Sequence, residues 1–509
     1  MQAFIDFLNG IIWSPALIFL CLGAGLFYSI LTRFVQVRHF KEMFSLLFNP
    51  NESDKGISSF QALAVSLSGR VGTGNIAGVA AAIGFGGPGA IFWMWVVAFL
   101  GASTAYAEST LGQIYKVSED GQYRGGPAYY FERCLGWRWL GVLFALSSII
   151  ACGVFLPGIQ ANSVGNAVVQ IFGEGIVVSS SFGDVGSTKL VALAVILVVL
   201  AFIIFGGIKR IANFTQIVVP FMALGYIVMA LIVVFLNLDK VPGIFGLIFS
   251  DAFTAQAGFG AAIGWGVKRG VYSNEAGQGT GPHAAAAAEV QHPAQQGLVQ
   301  AFSVYIDTLF ICTATALMIL ITQQYNVQGT LADGQFIVQN VDPSTIIASP
   351  AFTQMALASV FGSTGPIFVG IALFFFAFTT ILAYYYIAET NVAYLRRALN
   401  INVSLTFVKL LIMFMVAYGT VNTAGYIWNL GDVGVGLMAW LNIVGIITIF
   451  FMAKPTMKAL RDYEEQKASG VTEYTFNPKA LGIKGAEFWE KRYDKQQAEK
   501  AEKAEKADK

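Results

Sequence analysis

The sequence predicts an all-α integral membrane protein of about eleven transmembrane helices, which two interrupted helices divide into one extra N-terminal helix and a five-plus-five inverted repeat. Three observations predict the membrane fold. First, of 509 residues 56% are hydrophobic and only 12% charged, where a soluble domain carries about 25% charge, so much of the surface must be solvated by lipid. Second, eleven stretches approach the ~20 apolar residues that cross a bilayer. Third, Lys and Arg concentrate in alternate loops, as the positive-inside rule demands.

The stretches run 11–32, 58–83, 89–114, 140–172, 190–205, 211–236, 243–267, 297–322, 365–387, 403–418 and 430–451. The fourth is long enough to tilt, or to bend at Pro157-Gly158. One set of loops holds Arg33, Arg38, Lys41, Lys55, Lys116, Arg124, Arg133, Lys209, Arg210, Lys268, Arg269, Arg396, Arg397, Lys454 and Lys458. The opposite loops hold Lys189 and Lys240. This places the N-terminus outside and the C-terminus in the cytoplasm. The first stretch lacks the basic start and small-residue cleavage site of a signal peptide and reads as retained. The loop 323–362 is the longest on its side and is placed to cover an entrance. Residues 496–509 repeat Ala-Glu-Lys, a solvated tail with no packing requirement. The expected units are 1–56, the extra helix and a cytoplasmic loop; 57–236 and 237–453, the two five-helix repeats; and 454–509, a charged cytoplasmic tail.

Composition also excludes classes. A net charge of +1 gives no basic face for nucleic acid. Cys21, Cys134, Cys152 and Cys312 make no zinc or disulfide spacing. His39, His283 and His292 fall in predicted loops without clustering, which argues against a metal site. No phosphate-cradling glycine–lysine pattern is present to drive transport with ATP. There is no filter motif for a channel, and too few polar groups at bilayer depth for a membrane enzyme.

Two helices carry the chemistry. The second contains Ser68-Gly-Arg-Val-Gly-Thr-Gly-Asn75, a poor helix near mid-membrane. Unwound backbone there is tolerated where it lines a cavity; its carbonyls can ligate a hard cation and the next half-helix can hold a carboxylate. The other reading is close helix packing through small residues. The seventh stretch is also interrupted, over Asp251-Ala-Phe-Thr-Ala-Gln-Ala-Gly-Phe-Gly260. It is sixth counting from the second, so it opens a second group of five, and an odd number of helices per group inverts the repeat. Thr379 and Thr380 add hydroxyls to the ninth stretch, though a hydroxyl bonding back to its i−4 carbonyl is common in membrane helices. Arg70, Glu108 and Asp307 are intramembrane ionisable residues, expected to form a structural ion pair, with a proton relay as the alternative. Lys409 and Glu389 sit near helix ends, where they would snorkel.

At these motifs the chain resembles the alanine or glycine:cation symporter family over nearly its whole length. Ser68–Gly78, Gly86–Trp95 and the block Lys268-Arg-Gly-Val-Tyr-Ser-Asn-Glu-Ala-Gly-Gln-Gly-Thr-Gly-Pro282 carry the resemblance. It implies a LeuT-type fold and Na⁺-coupled uptake of a small neutral amino acid, alanine or glycine, across the bacterial inner membrane, with no obligatory protein partner. The alternatives are proton coupling, or another substrate such as serine or glutamine. By matching positions it implies substrate contacts at Gly72, Thr73, Gly74, Asn75, Gln160, Phe253, Thr254, Gln256, Gly258, Phe259, Gly260 and Tyr384. It implies Na⁺ ligation by the carbonyls of Ser68 and Val71 and the hydroxyls of Thr379 and Thr380. Tyr384, in Ile381-Leu-Ala-Tyr, stands where the resemblance leads us to expect a Trp.

Overall fold

The computed structural model describes residues 2–48, 56–180, 183–253, 259–328, 335–343 and 348–507. Seven described helices are long and apolar enough to cross a bilayer, and a pair bent by 40° makes an eighth. The bent pair is α1 (Gln2–Ile12) and α2 (Pro15–Leu31). Next come α3 (Ser59–Arg70) and α4 (Ala77–Gly86), two halves of one interrupted helix, then α5 (Gly89–Ile114). The short α6 (Pro127–Leu135) precedes α7 (Arg138–Phe172), α8 (Ser187–Ile204) and α9 (Gly207–Phe235). After the short α10 (Val241–Asp251) comes a second interrupted pair, α11 (Phe259–Asn274) and α12 (Gly281–Ala287). Then follow α13 (Pro293–Thr322), the short α14 (Pro350–Phe361), α15 (Thr364–Leu399), α16 (Leu405–Val421) and α17 (Ala424–Met452). Two polar helices close the chain, α18 (Pro455–Ala468) and α19 (Glu487–Ala507).

Ten of the eleven expected stretches coincide with a helix or an interrupted pair. The seventh, 243–267, is corrected. Its first part is α10, which at 11 residues is about 17 Å long, too short to cross ~30 Å of hydrocarbon. The interrupted element here is α11–α12, extending well past Val267. Lys268 and Arg269 are therefore not loop residues but lie inside α11. Around Pro157 the helix continues, widened just before it into a π-helical stretch over Ile149–Phe155. The histidines are also more structured than a loop placement implies. His283 lies in α12 and His292 caps α13, both buried.

The interrupted helices pack at the centre. α3 lies against α9, α12 and α15, and α11 runs along α4 and α5. α13 also packs along α5. Ser58 starts α3 through reciprocal bonds with Gln61, accepting its N–H at 3.2 Å while Gln61 Oε1 takes the Ser58 N–H at 3.0 Å, a capping box that ends the preceding loop cleanly.

The charged tail is not uniformly free. Its last part is exposed, carrying surface pairs such as Lys495–Glu499. Upstream it docks on the face where the basic loops gather. Trp489 is buried and donates its Nε1–H to Gln113 O at 2.7 Å. The Lys116 ammonium lies 4.3–5.4 Å from the rings of Tyr123, Phe488 and Trp489, and Arg492 pairs with Glu289. His292 Nε2 meets Asp462 at 3.0 Å. Glu42 receives hydrogen bonds from His39, Tyr463 and Lys467; burial raises its pKa, but those bonds prevail and hold it at about 2. Glu389, expected to snorkel, is buried and pairs with Arg124 at 3.2 Å. The Lys409 ammonium does lie on an aromatic face, 4.7 Å from the Phe205 ring centre.

Trp489→Ala should release this segment, costing about 3–5 kcal/mol as large-to-small core changes do. Limited trypsin digestion should then cut after Lys479 or Lys484 at least tenfold faster than in the unaltered protein. Because Glu42 titrates lower folded than unfolded, its share of tail docking is complete above about pH 4.5 and lost as pH falls toward 2.

Candidate binding site at two helix breaks

The first break arises where Gly72 and Gly74 interrupt the helical ladder. Gly72 N–H turns to Arg70 O at 3.0 Å and to Asn75 Oδ1 at 2.8 Å. Asn75 N–H goes to Gly72 O at 3.2 Å, and Thr73 N–H is taken by Gln160 Oε1 at 3.1 Å. The carbonyls of Ser68 and Val71 thereby lose the N–H groups a continuing helix would offer them. Thr380 Oγ1 lies 3.5 Å from Val71 O while donating to Phe376 O at 2.9 Å. Thr379 Oγ1 donates back to Phe375 O at 2.9 Å. With these protons committed inside their own helix, the hydroxyl lone pairs are left for a cation. Ser68 Oγ donates to Val65 O at 2.7 Å, so its carbonyl, not its side chain, is the available ligand. Gly72 is required sterically: a Cβ there would run into Thr380 Oγ1 and come within 3.0 Å of Gln160 Oε1.

The second break separates α11 from α12. Glu275 takes left-handed backbone, φ 56°, as do Gly277 and Gly279 at 85° and 82°. The exposed amides are clasped by one carboxylate. Glu108 of α5 accepts Gly277 N–H at 3.2 Å, Gly279 N–H at 3.1 Å and Asn442 Nδ2–H at 2.6 Å. Asn442 also donates to Gly277 O at 2.9 Å. Thr280 Oγ1 donates to Glu275 Oε2 at 2.8 Å.

Asp307 joins the two breaks. It sits in a π-helical turn of α13, a wide turn of the kind that often marks functional sites. Its Oδ1 accepts Asn75 Nδ2–H at 2.6 Å and Ser273 Oγ–H at 3.0 Å; its Oδ2 accepts Thr308 at 2.7 Å. Gly74 faces the end of α11, where a Cβ would lie 3.1 Å from Tyr272 and 3.2 Å from Ser273. Thr73 Oγ1 and the Tyr272 hydroxyl are buried side by side, with no well-formed hydrogen bond to any other group.

A vestibule of about 310 Å³ leads toward this centre, lined by Ala77, Asn166, Arg269, Ser349 and Trp428 among others. Residues 348–350 of the long 323–362 segment line this cavity. The floor is the Arg269 guanidinium, held by both oxygens of Asp432 at 3.0 Å and stacked 4.8 Å from Trp428. Lys268 joins Asp432 at 2.7 Å. Tyr272 lies beneath, its ring 5.1 Å from Trp428.

The structure brings together Gly72, Thr73, Gly74, Asn75 and Gln160, all at the first break. Val71 and Thr380 meet directly; Ser68 is buried about one turn before Val71, and Thr379 is buried next to Thr380. Tyr384 is buried near Glu275 and Tyr272. The residues expected at the second break are corrected. Phe253 is 59% exposed and packs on Phe92 and Trp93. Gly260 is exposed and lies thirteen helical residues before Ser273, about 20 Å along α11; Phe259 opens the same helix. Thr254, Gln256 and Gly258 lie outside the described residues. The segment that faces Gly74 is instead Tyr272–Thr280. The expected Arg70 ion pair is also corrected. Arg70 Nη1 donates to Gln300 O at 3.1 Å, Nε and Nη2 have no partner, and Glu275, Glu108 and Asp307 act on it only through space. Tyr272, Ser273, Glu275 and Asn442 were missed, although the glycine-rich run Asn274–Gly281 signalled a second break.

The model of the sodium:alanine symporter family matches residues 1–477. The chain is 55% identical to YrbD of Bacillus subtilis, which carries the provisional name of a sodium/proton-dependent alanine carrier, over 97% of this chain and 98% of that one. It is 46% identical to the sodium/proton-dependent alanine carrier protein of Bacillus sp. PS3, over 90% and 99%. It is 35% identical to the sodium/alanine symporter AgcS of Methanococcus maripaludis, over 91% and 98%.

Asn75→Ala removes both the acceptor of Gly72 N–H and a donor to Asp307. Each buried group left unsatisfied costs about 1–3 kcal/mol, so the melting temperature in detergent should fall clearly. An unchanged melting temperature would mean that water replaces both bonds.

Proposed function

The chain belongs to the sodium:alanine symporter family, and from that premise we propose that this multi-pass membrane protein moves alanine and similarly small neutral amino acids into the cell with Na⁺. It is a transporter and not an enzyme. The observation that carries the reading is the pair of carbonyls, Ser68 and Val71, freed by the first break with the Thr380 hydroxyl beside them. Those oxygens and the Thr379 hydroxyl suit an alkali cation, which takes neutral oxygen ligands in place of its hydration shell.

The substrate is a zwitterion, and both of its charges need partners in a dry site. The N-terminus of α4 and the neighbouring hydroxyls of Thr73 and Tyr272 offer donors for the carboxylate. Break carbonyls offer acceptors for the ammonium. Gln160, Tyr272 and Tyr384 crowd this space, so that a larger side chain is refused by overlap. Na⁺ and substrate share the first break, so each would raise the other's affinity by the same factor.

The order of elements supports an inverted repeat. Interrupted α3–α4, long α5, short α6, long α7, then α8 and α9 is matched by interrupted α11–α12, long α13, short α14, long α15, then α16 and α17. On this reading α1–α2 is the extra span, α10 is peripheral and the second repeat opens at α11. The chain then crosses the bacterial inner membrane eleven times, N-terminus outside and C-terminus in the cytoplasm. The vestibule floored by Arg269 faces outward, and alternating access is a rocking of one group of helices against the other.

In proteoliposomes, replacing Na⁺ with choline should abolish alanine uptake. Thr380→Val should raise the Na⁺ concentration for half-maximal uptake about fivefold, the equivalent of one neutral contact of about 1 kcal/mol. Unchanged Na⁺ dependence in that variant would remove Thr380 from the cation site. Tyr384→Trp should leave Na⁺ dependence in place and shift the preference between glycine, alanine and serine.

A further inference from the structure

Beneath the first break lies a cluster of charges that does not balance. Glu108, Glu275 and Asp307 are all buried, and Arg70 is the cation that acts on all three, without touching any of them. Three carboxylates against one guanidinium leave two negative charges uncompensated if all are ionised. Inside a membrane protein such charges are costly and mark ion pathways. The three acids are unequally satisfied. Glu108 accepts two backbone amides and Asn442. Asp307 accepts three side-chain donors. Glu275 accepts Thr280 on Oε2 and has the Tyr384 hydroxyl beside its carboxylate, while Oε1 is left without a well-formed hydrogen bond although the residue is 2% exposed.

That bare oxygen belongs to a residue lining a small cavity together with Ser66, Gly69, Thr280 and Ala383. Ser66 Oγ, also buried, has no partner either. The cavity offers about 10 Å³ to the centre of a water-sized sphere, room for one water or one dehydrated sodium ion. It lies against α3 one residue from Ser68: a Cβ on Gly69 would sit 3.2 and 3.5 Å from the two Glu275 oxygens. The neighbouring titratable groups are Arg70, Tyr384, Cys152 and, through its contact with Thr280 O, His283.

We propose that Glu275, Ser66 and Thr280 form a second monovalent-cation site, for Na⁺, adjacent to the one at Ser68, Val71, Thr379 and Thr380. The first site has only neutral ligands; the second supplies a carboxylate. Two sodium ions then cancel the two uncompensated charges. Because Glu275 belongs to the second break and Ser66 to the helix leading into the first, filling this site ties the two discontinuous helices together. The proposal rests on the Na⁺-coupled reading above and goes beyond it in the number of ions and in the residue that holds the second.

The test uses the full chain, purified in nanodiscs, with radioactive sodium as the probe and alanine saturating. The unaltered protein should bind two Na⁺ per chain and Glu275→Gln one. The Hill coefficient of Na⁺ for alanine uptake should fall from about 2 to about 1. Ser66→Ala keeps the carboxylate and guards against a Glu275 variant that fails to fold; it should raise half-saturation by Na⁺ about fivefold. One Na⁺ per chain in the unaltered protein, or two in Glu275→Gln, overturns the second site while leaving Na⁺-coupled transport intact. An unchanged Na⁺ count with loss only of the pH dependence of uptake would mean that Glu275 carries a proton, which also overturns it. Alanine uptake by the unaltered protein without Na⁺ would sink the underlying reading instead.

Discussion

A helix that stops inside a membrane protein must find new partners for backbone groups that lipid cannot solvate. That constraint organises this molecule. Gly72 N–H goes to Asn75, Thr73 N–H to Gln160, and the amides of Gly277 and Gly279 to Glu108. Each of these side chains is fixed in turn: Asn75 by Asp307, Glu108 by Asn442. The second break is held by charge-assisted bonds, which are shorter and stronger than neutral ones, and the first by amides. The acids buried in the core are thus, in the first instance, what lets two helices end where they do.

Much of this was legible in the sequence, and the errors have a physical cause. Gly72 and Gly74 betray the first break because glycine next to polar residues has no reason to continue a helix in an apolar run. The corresponding run at Asn274–Gly281 holds as many glycines as Ser68–Asn75, three in eight residues, yet it follows Lys268 and Arg269. Two adjacent cations look like the end of a membrane span, and this moved the expected break to Gln256–Gly260. Those cations are not at an interface. Asp432, some 160 residues on, pairs with both, and the rings of Trp265 and Trp428 lie by the guanidinium. A pair that depends on so distant a residue has no local signature. The same holds for Glu389, whose partner Arg124 lies 265 residues away. Arg70 fails in the other direction: nearby acids invite an ion pair, but Gln300 takes its Nη1 and the acids are engaged with backbone or neutral side chains.

Asp307 also illustrates how a packing detail sets chemistry. In a regular helix each residue turns about 100° from the last; a π-helical turn resets that phase. The reset stretch Tyr305–Cys312 gives Asp307 a position where one oxygen reaches Asn75 and Ser273 together. Movement of either break relative to the other must stretch one of those two bonds.

The docked tail has a practical corollary. The family match ends at residue 477, but Trp489 fills a socket bounded by Gln113, Phe476 and the Lys116 ammonium. A chain shortened to the shared family length would open that socket to water. It would strip the lysine of two of its three aromatic faces and bare Phe476, leaving a sticky concavity on the basic face. For this protein the boundary suggested by common ancestry is a poor place to trim, and a solubility screen of shortened chains should break the sequence after Arg492 rather than before Trp489.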